Sequence, residues 1–462
     1  MNKNQSKHNL SRRSFFKKSA LGMAGTTLSM PFLVNGCSGV KSNSEESKWK
    51  NVFIPELLPK APDGNPLKAG LIGCGSRGTG AACNFLDAGN DLKITALGDI
   101  FPDKLSACRK VLEQKGQNIP DEHCFLGFDA YRKVIDSGVD IVLMCTPPVF
   151  RPMHFEYAIG KSKHCFIEKP CAVDPVGVRK ILVAGKRATQ MGLSVMSGTC
   201  LRSEKDYIET YRRVAGGAIG DIVSAHVSRM GTALWYIRRR PEWNDMEYML
   251  RNWANFCWTS GDHIVEQFIH EIDVMSWFTG EKHPVRAEAT GGRQRRITGD
   301  MYDNFSVEYV YEDGHRALCT TRQIDGCDTA TAVMVYGTKG FTDCAGTIYN
   351  LDGSVAWKYP YPAEGAADQS MAVPDPFVQE HIRLVTAIRS NQPFNDTEQH
   401  AQSTLMAIMG REAAYTGKFV TWDQIMVSTL ELGPKTYEFG PVPGGVKEEI
   451  PLAGTPPQIS NT

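Results

Sequence analysis

The sequence has no excess of either charge: 51 Lys and Arg face 51 Asp and Glu over 462 residues. A function built on a broad basic surface, as in nucleic-acid binding, is therefore disfavoured. There is no run of 18 or more apolar residues, which argues against a multi-pass membrane protein. None of the 13 cysteines forms a Cys-x-x-Cys pair, so a structural zinc site is not expected. They are scattered, mostly inside apolar runs, and read as reduced, small hydrophobic residues rather than as a disulfide framework. Internal repeats and clusters with metal-ligand spacing are also lacking. What remains is an ordinary globular composition in a chain too long for one core, which suggests two domains and a tail.

Charge is uneven along the chain. Residues 1–37 carry six Lys or Arg and no acid. Ser11-Arg12-Arg13-Ser14-Phe15-Phe16-Lys17, followed by a 14-residue apolar stretch from Ala20 to Leu33, matches a twin-arginine export signal. That stretch is too short to span a membrane. Val34-Asn35-Gly36-Cys37 resembles a lipoprotein cleavage box, with Cys37 as the lipidated residue and release as a soluble periplasmic protein as the alternative. Either way the expected location is the periplasmic side. Residues 38–65, rich in Ser, Lys, Glu and Pro, read as a tether.

The first domain is expected over 66–190. Lys68 to Ile72 reads as a buried strand running into Gly73-Cys74-Gly75-Ser76-Arg77-Gly78, a G-x-G-x-x-G, with a helix after it. A second strand ends at Asp99, 21 residues past Gly78, the spacing of a carboxylate that holds ribose hydroxyls. Gly73 allows the tight turn, Gly75 lets the backbone approach a diphosphate, and Gly78 lets helix pack on strand. The helix N-terminus offers N–H groups to phosphate. Asp99 would repel a 2′-phosphate and favours NAD over NADP, while Arg77 keeps a cation nearby for a phosphate. Helices and strands alternate onward to Val139–Cys145, which ends at Thr146-Pro147, and to His164–Ile167, which ends at Glu168-Lys169-Pro170; Thr146, Pro147 and Glu168, at the strands' carboxyl ends, are expected to bind the cofactor. Such alternation means a parallel sheet.

These motifs, with Ile269-His270-Glu271-Ile272-Asp273, make roughly residues 66–425 resemble the Gfo/Idh/MocA oxidoreductases, and the last segment is similar to their inositol dehydrogenases. The resemblance implies an α/β protein: an N-terminal Rossmann domain, then a C-terminal α/β domain with a large open mixed sheet over 191–434. It implies an enzyme oxidising the CH–OH group of a sugar, polyol or glycoside with NAD. Lys169 matches the family's lysine beside the nicotinamide. Glu266 and His270 match its Asp-x-x-x-His pair, with Glu replacing Asp, and four residues apart on one helix they would face the same way. Asp273 matches a substrate-binding acid. His270 is expected as the base and Lys169 as the group polarising the alcohol oxygen, with the reverse as the alternative.

Four tryptophans (Trp235, Trp243, Trp253, Trp258) and four arginines crowd residues 235–258, and Trp235 is a candidate to stack on a sugar ring. Arg202, at the domain junction, is a candidate for cofactor or substrate. Strand-like segments at 223–229, 285–290, 304–311, 316–322 and 331–336 predict the mixed sheet, one face of which is expected to pair subunits in a homo-oligomer. Residues 435–462 read as an irregular tail. Two other functions fit the same motifs: an NAD-dependent glycoside hydrolase working by transient oxidation and elimination, and a non-catalytic sugar-binding lipoprotein.

Overall fold

The structure is a computed structural model and describes residues 56–454; the export signal, Cys37 and most of the expected tether lie outside the described residues. The first domain holds β1 (Leu67–Ile72), β2 (Leu92–Asp99), β3 (Cys124–Leu126), β4 (Ile141–Met144), β5 (His164–Ile167) and β6 (Val195–Ser197). These strands are short apolar runs because helices cover both faces of the sheet. All pair in parallel, in the order β3-β2-β1-β4-β5-β6. The order reverses between β1 and β4, so the crevice beyond their carboxyl ends is the ligand position of a doubly wound sheet. The helices are α1 (Ser76–Asp87), α2 (Pro102–Gln114), α3 (Ala130–Asp136), α4 (Arg151–Gly160) and α5 (Pro175–Gln190).

The second domain begins with α6 (Lys205–Ala215) and β7 (Ile222–Gly231). An insertion carries α7 (Asp245–Arg251), α8 (Cys257–Ser260), α9 (His263–Glu266) and α10 (Ile269–Phe278). There follow β8 (Arg286–Gly292), β9 (Asn304–Val310), β10 (Arg316–Gln323), β11 (Ala330–Gly337), β12 (Gly340–Thr342), β13 (Thr347–Asn350) and β14 (Val355–Lys358). Then come α11 (Pro376–Arg389), α12 (Thr397–Thr416), β15 (Val420–Thr421) and α13 (Trp422–Val427). The nine strands form one mixed sheet, β14-β13-β12-β11-β7-β10-β9-β8-β15, with β7 and β10 its parallel pair. Burial alternates along β9 and β10, so Phe305, Val307, Tyr309, Ala317 and Cys319 face the core while the opposite side is open. Turns occur at Asp313-Gly314, between β9 and β10, and at Thr338-Lys339, between β11 and β12.

Two late helices tie the domains together. Ile382, Leu384 and Val385 of α11 share a core with Ala81 and Phe85 of α1. Residues 56–65 are not a free tether. Ala61 is buried, its N–H donates to Ala88 O at 2.9 Å, and Gln379 donates to Leu58 O at 2.9 Å. Their apolar side chains have a seam to fill. The final segment, 435–454, forms neither helix nor strand, yet it packs: Tyr437 and Phe439 close on Phe128 and Phe150 at 4.9–6.5 Å between rings.

Candidate active site

The glycine loop follows β1. Gly73 has φ +92, a conformation glycine adopts without strain, and a Cβ on Gly78 would lie 1.8 Å from Gly73 O. A Cβ on Gly75 would meet nothing within 4 Å; Gly75 lines a cavity of about 580 Å³, an ordinary size for a cofactor site. The N-cap of α1 is Gly75, no side chain caps it, and its first turn holds no acid. The first N–H groups of α1 are thus left for an anion.

Asp99 ends β2 in the same cavity. Its carboxylate accepts the Cys74 N–H at 2.6 Å and the Phe101 N–H at 2.8 Å. Burial pushes its carboxyl upward, and those N–H donors pull it back. Each oxygen keeps a lone pair for a ribose hydroxyl. Thr146 and Pro147, beyond β4, form the opposite wall, where Thr146 Oγ1 lies 3.4 Å from His154 Nδ1. His154 is stacked on Tyr131 at 4.4 Å and is held neutral, its pKa pushed down to about 3 by burial and by Arg151. The second domain supplies a roof: Trp235, Ile237, Leu250, Arg251 and Trp253 line the same cavity. An apolar cavity with an uncapped helix N-terminus and one carboxylate at the end of β2 fits a dinucleotide.

The E-K-P segment leaves β5 beside this cavity. Arg77 lines the cavity, and its Nε donates to the Glu168 carboxylate. Lys169 Nζ lies 2.9 Å from Glu266 Oε1 and also donates to the Glu266 main-chain carbonyl. His270 is half-buried, and its pKa is driven well below the usual histidine value by burial and by the charges of Lys169, Arg229 and Arg77. It is therefore neutral near pH 7 and can accept a proton. Glu271, next in sequence, accepts Arg229 Nη1 at 2.7 Å and is buried; its carboxyl is raised by that burial. Among the described residues no group of three or more His, Cys, Asp or Glu is placed to hold a metal.

The description "Oxidoreductase family, NAD-binding Rossmann fold" matches residues 67–197, and "GFO/IDH/MocA C-terminal domain" matches 207–342. The chain belongs to the Gfo/Idh/MocA oxidoreductase family. It is 24% identical over 317 residues to glycosyl hydrolase family 109 protein 2 of Shewanella sp. (strain ANA-3), a match spanning 67% of this chain and 66% of that protein, just under two thirds of its length. It is 26% identical over 224 residues to inositol 2-dehydrogenase of Paracoccus denitrificans (strain Pd 1222), covering 47% of this chain and 55% of that one. In fold it resembles scyllo-inositol dehydrogenase from Lactobacillus casei, solved with bound NAD(H) and scyllo-inositol. There the TM-score is 0.58 at 21% identity, with 77% of this chain and 99% of that chain covered.

Within this Gfo/Idh/MocA member the predicted residues divide into two groups. Gly73, Gly75, Gly78, Asp99, Thr146 and Pro147 line one cavity with Arg77, and Lys169, Glu266 and His270 lie together behind Glu168. Four expectations need correction. Glu266 and His270 do not share a helix: α9 ends at Glu266 and α10 starts at Ile269. The Glu266 carbonyl, which in an unbroken helix would accept the His270 N–H, accepts Lys169 instead. Glu266 thus serves Lys169 rather than orienting His270. Arg77 is not an unpaired cation waiting for a phosphate: its Nε is bonded to Glu168 and Glu380 faces its Nη2 at 3.7 Å. Asp273 and Arg202 consume each other: Arg202 donates to both Asp273 oxygens at 2.7 and 3.0 Å, Ser403 adds 2.6 Å, and Asp273 is 2% exposed. Glu281 takes the Arg202 Nη1 as well, so both side chains are committed first to this buried cluster. Trp235, 49% exposed, hangs over the nucleotide cavity rather than forming a separate sugar platform.

Sequence reasoning missed Arg251, Trp253 and Glu380. Arg251 lies in the Trp- and Arg-rich stretch 235–258, but no local signal says that the stretch folds over the first domain. Glu380 carries no local signal at all, since nothing in its own helix marks the contact with the glycine loop.

Proposed function

We propose that this protein is an exported NAD-dependent oxidoreductase acting on the CH–OH group of a sugar, polyol or glycoside. The observation that carries the reading is the Lys169–Glu266 pair at 2.9 Å beside a neutral, half-buried His270, linked through Glu168 to Arg77 in the wall of the dinucleotide cavity. NAD, when bound, accepts the hydride from the alcohol carbon. The remaining work falls to the chain. Lys169 donates a hydrogen bond to the substrate oxygen and stabilises its developing negative charge. Glu266 keeps the ammonium oriented. His270, neutral near pH 7, takes the hydroxyl proton. Asp99 supports NAD over NADP.

A second reading is favoured by the match to family 109 proteins. Transient oxidation of a glycoside would acidify the C–H beside the new ketone so that the aglycone is eliminated; water would then add to the unsaturated ketone and the hydride return to it, leaving no net reduction. A glycoside panel separates the two. Keto-sugar and reduced cofactor in equal amounts support the dehydrogenase; free aglycone without reduced cofactor supports the hydrolase. Neither product, with sugar binding unchanged in Lys169→Met and His270→Ala, would leave a sugar-binding lipoprotein.

Twin-arginine export, anchoring through Cys37 and assembly of the open sheet face into a homo-oligomer belong to the same proposal. Arg12→Lys with Arg13→Lys should hold the protein in the cytoplasm, and Cys37→Ala should release it from membranes. A Cys37→Ala protein that stays membrane-bound rules out the anchor.

A further inference from the structure

α11 comes from the second domain and passes directly behind the glycine loop. Two residues on one of its faces meet Arg77. Phe377 lies under the guanidinium, 4.7 Å from ring centre to Cζ, and Glu380, one turn later, has Oε2 3.7 Å from Nη2. The Glu380 side chain is 0% exposed. Among the described residues no hydrogen bond reaches either of its oxygens, and none is made by Arg77 Nη2. A buried carboxyl left in that condition is destabilising and is retained only where other interactions fix it. Burial and the neighbouring Glu168 push its carboxyl well above the usual range, against the opposing charge of Arg77.

Arg77 carries the contact forward. Its Nε donates to Glu168, and Glu168 Oε2 in turn lies 3.2 Å from the Lys169 N–H. Space for the Glu168 carboxylate depends on Gly198, where a Cβ would stand 3.0 Å from it. A chain of contacts therefore runs from α11 through the glycine loop to the residue that precedes Lys169.

We propose that Glu380 is a positioning residue for hydride transfer: from α11 it holds Arg77 against Glu168 and so sets Lys169 at the substrate. The proposal rests on the reading of Lys169 given above. The shape and polarity of residue 380 are what matter, so glutamine preserves the contact and leucine removes it.

The test uses the full chain with its NAD and ε-¹³C-labelled lysine. The Lys169 resonance, assigned by its loss in Lys169→Met, should move in Glu380→Leu and stay in Glu380→Gln. With scyllo-inositol and a panel of nitrophenyl glycosides as probes, Glu380→Leu should lower kcat by roughly 10- to 100-fold with KM nearly unchanged, the effect expected of a small misplacement. Glu380→Gln should stay within about twofold of wild type on the same ground of retained geometry. NAD content should be unaltered in both. If Glu380→Leu does not fold, Arg77→Met must move the same resonance. An unmoved Lys169 signal in the folded variant, or a loss of melting temperature and NAD without that shift, overturns the proposal in favour of a merely structural role. Should Lys169→Met itself keep full turnover, the reading of Lys169 falls, while the shift of its resonance still reports whether Glu380 positions it.

Discussion

Lys169 and Glu266 come from different domains and meet twice, through the carboxylate at 2.9 Å and through the main-chain carbonyl. The second contact occupies the acceptor that would otherwise continue α9 into α10. The break in the helix and the placement of the ammonium are therefore one feature. Lys169→Met and His270→Ala should each lower turnover by about 10²- to 10⁴-fold, the range of a positioned acid–base group. Glu266→Gln should act through Lys169. Its effect combined with Lys169→Met should then fall short of the sum, and steady-state kinetics on the three variants measures the shortfall. All should retain NAD, because the glycine loop and Asp99 are untouched.

Arg202 and Asp273 are expected to matter for folding more than for substrate. Breaking a buried, hydrogen-bonded ion pair on one side leaves the other charge uncompensated and costs about 3–5 kcal/mol. Asp273→Asn should lower the denaturant midpoint accordingly. A variant of full stability with a raised KM would return Asp273 to the substrate site.

Arg251 spans the mouth of the nucleotide cavity. It contacts Asp103 of the first domain at 3.1 Å and lies 4.1 Å over the Phe101 ring. Burial pushes the Asp103 carboxyl upward, but the hydrogen bond and charge of Arg251, with smaller local contributions, outweigh it and hold the group below the usual carboxylate range. Arg251→Ala should speed NAD release. The rate at which fluorescent NADH leaves on dilution reads this directly, with an unchanged rate counting against a latch.

Buried histidines should set the acid limit of stability. His154, His381 and His400 are all pushed down to about 3 by burial. Unfolded, each takes a proton below about pH 6.5; folded, none does until about pH 3. The unfolded chain therefore binds more protons in that window, and stability falls as pH drops through it. Glu204, raised to about 7, and Asp300, raised to about 6, oppose this, since the folded form binds their protons first. Glu380, Glu271 and Asp99 are raised as well and act in the same sense as Glu204, while His270, His164 and His315 are lowered and add to the decline, so each histidine's share is read by removing it. His381 lies against Phe166 at 4.5 Å between rings. His381→Leu should flatten the acid limb of stability against pH by one proton, about 1.4 kcal/mol per pH unit. An unchanged slope in urea titrations between pH 4 and 6 would reject that assignment.

The parallel sheet of the first domain was legible because its signals are local. β1, the glycine turn, the start of α1 and Asp99 lie within 33 residues, and each glycine answers to its own backbone. The strands of the second sheet were legible from β-branched alternation, which one buried face imposes. The pairing of Lys169 with Glu266 was not, nor that of Arg202 with Asp273, because each joins residues about 70 to 100 positions apart. Spacing along a helix suggested Glu266 beside His270, and only the packed structure could break that helix by giving its last carbonyl to a lysine from another domain. The sequence by itself determined which chemical groups are available, the dinucleotide loop and the fold class, since these rest on short-range sterics and periodicity. Tertiary structure decided which charges are spent on one another and which remain for a ligand, because burial and long-range ion pairing depend on contacts that no local pattern records.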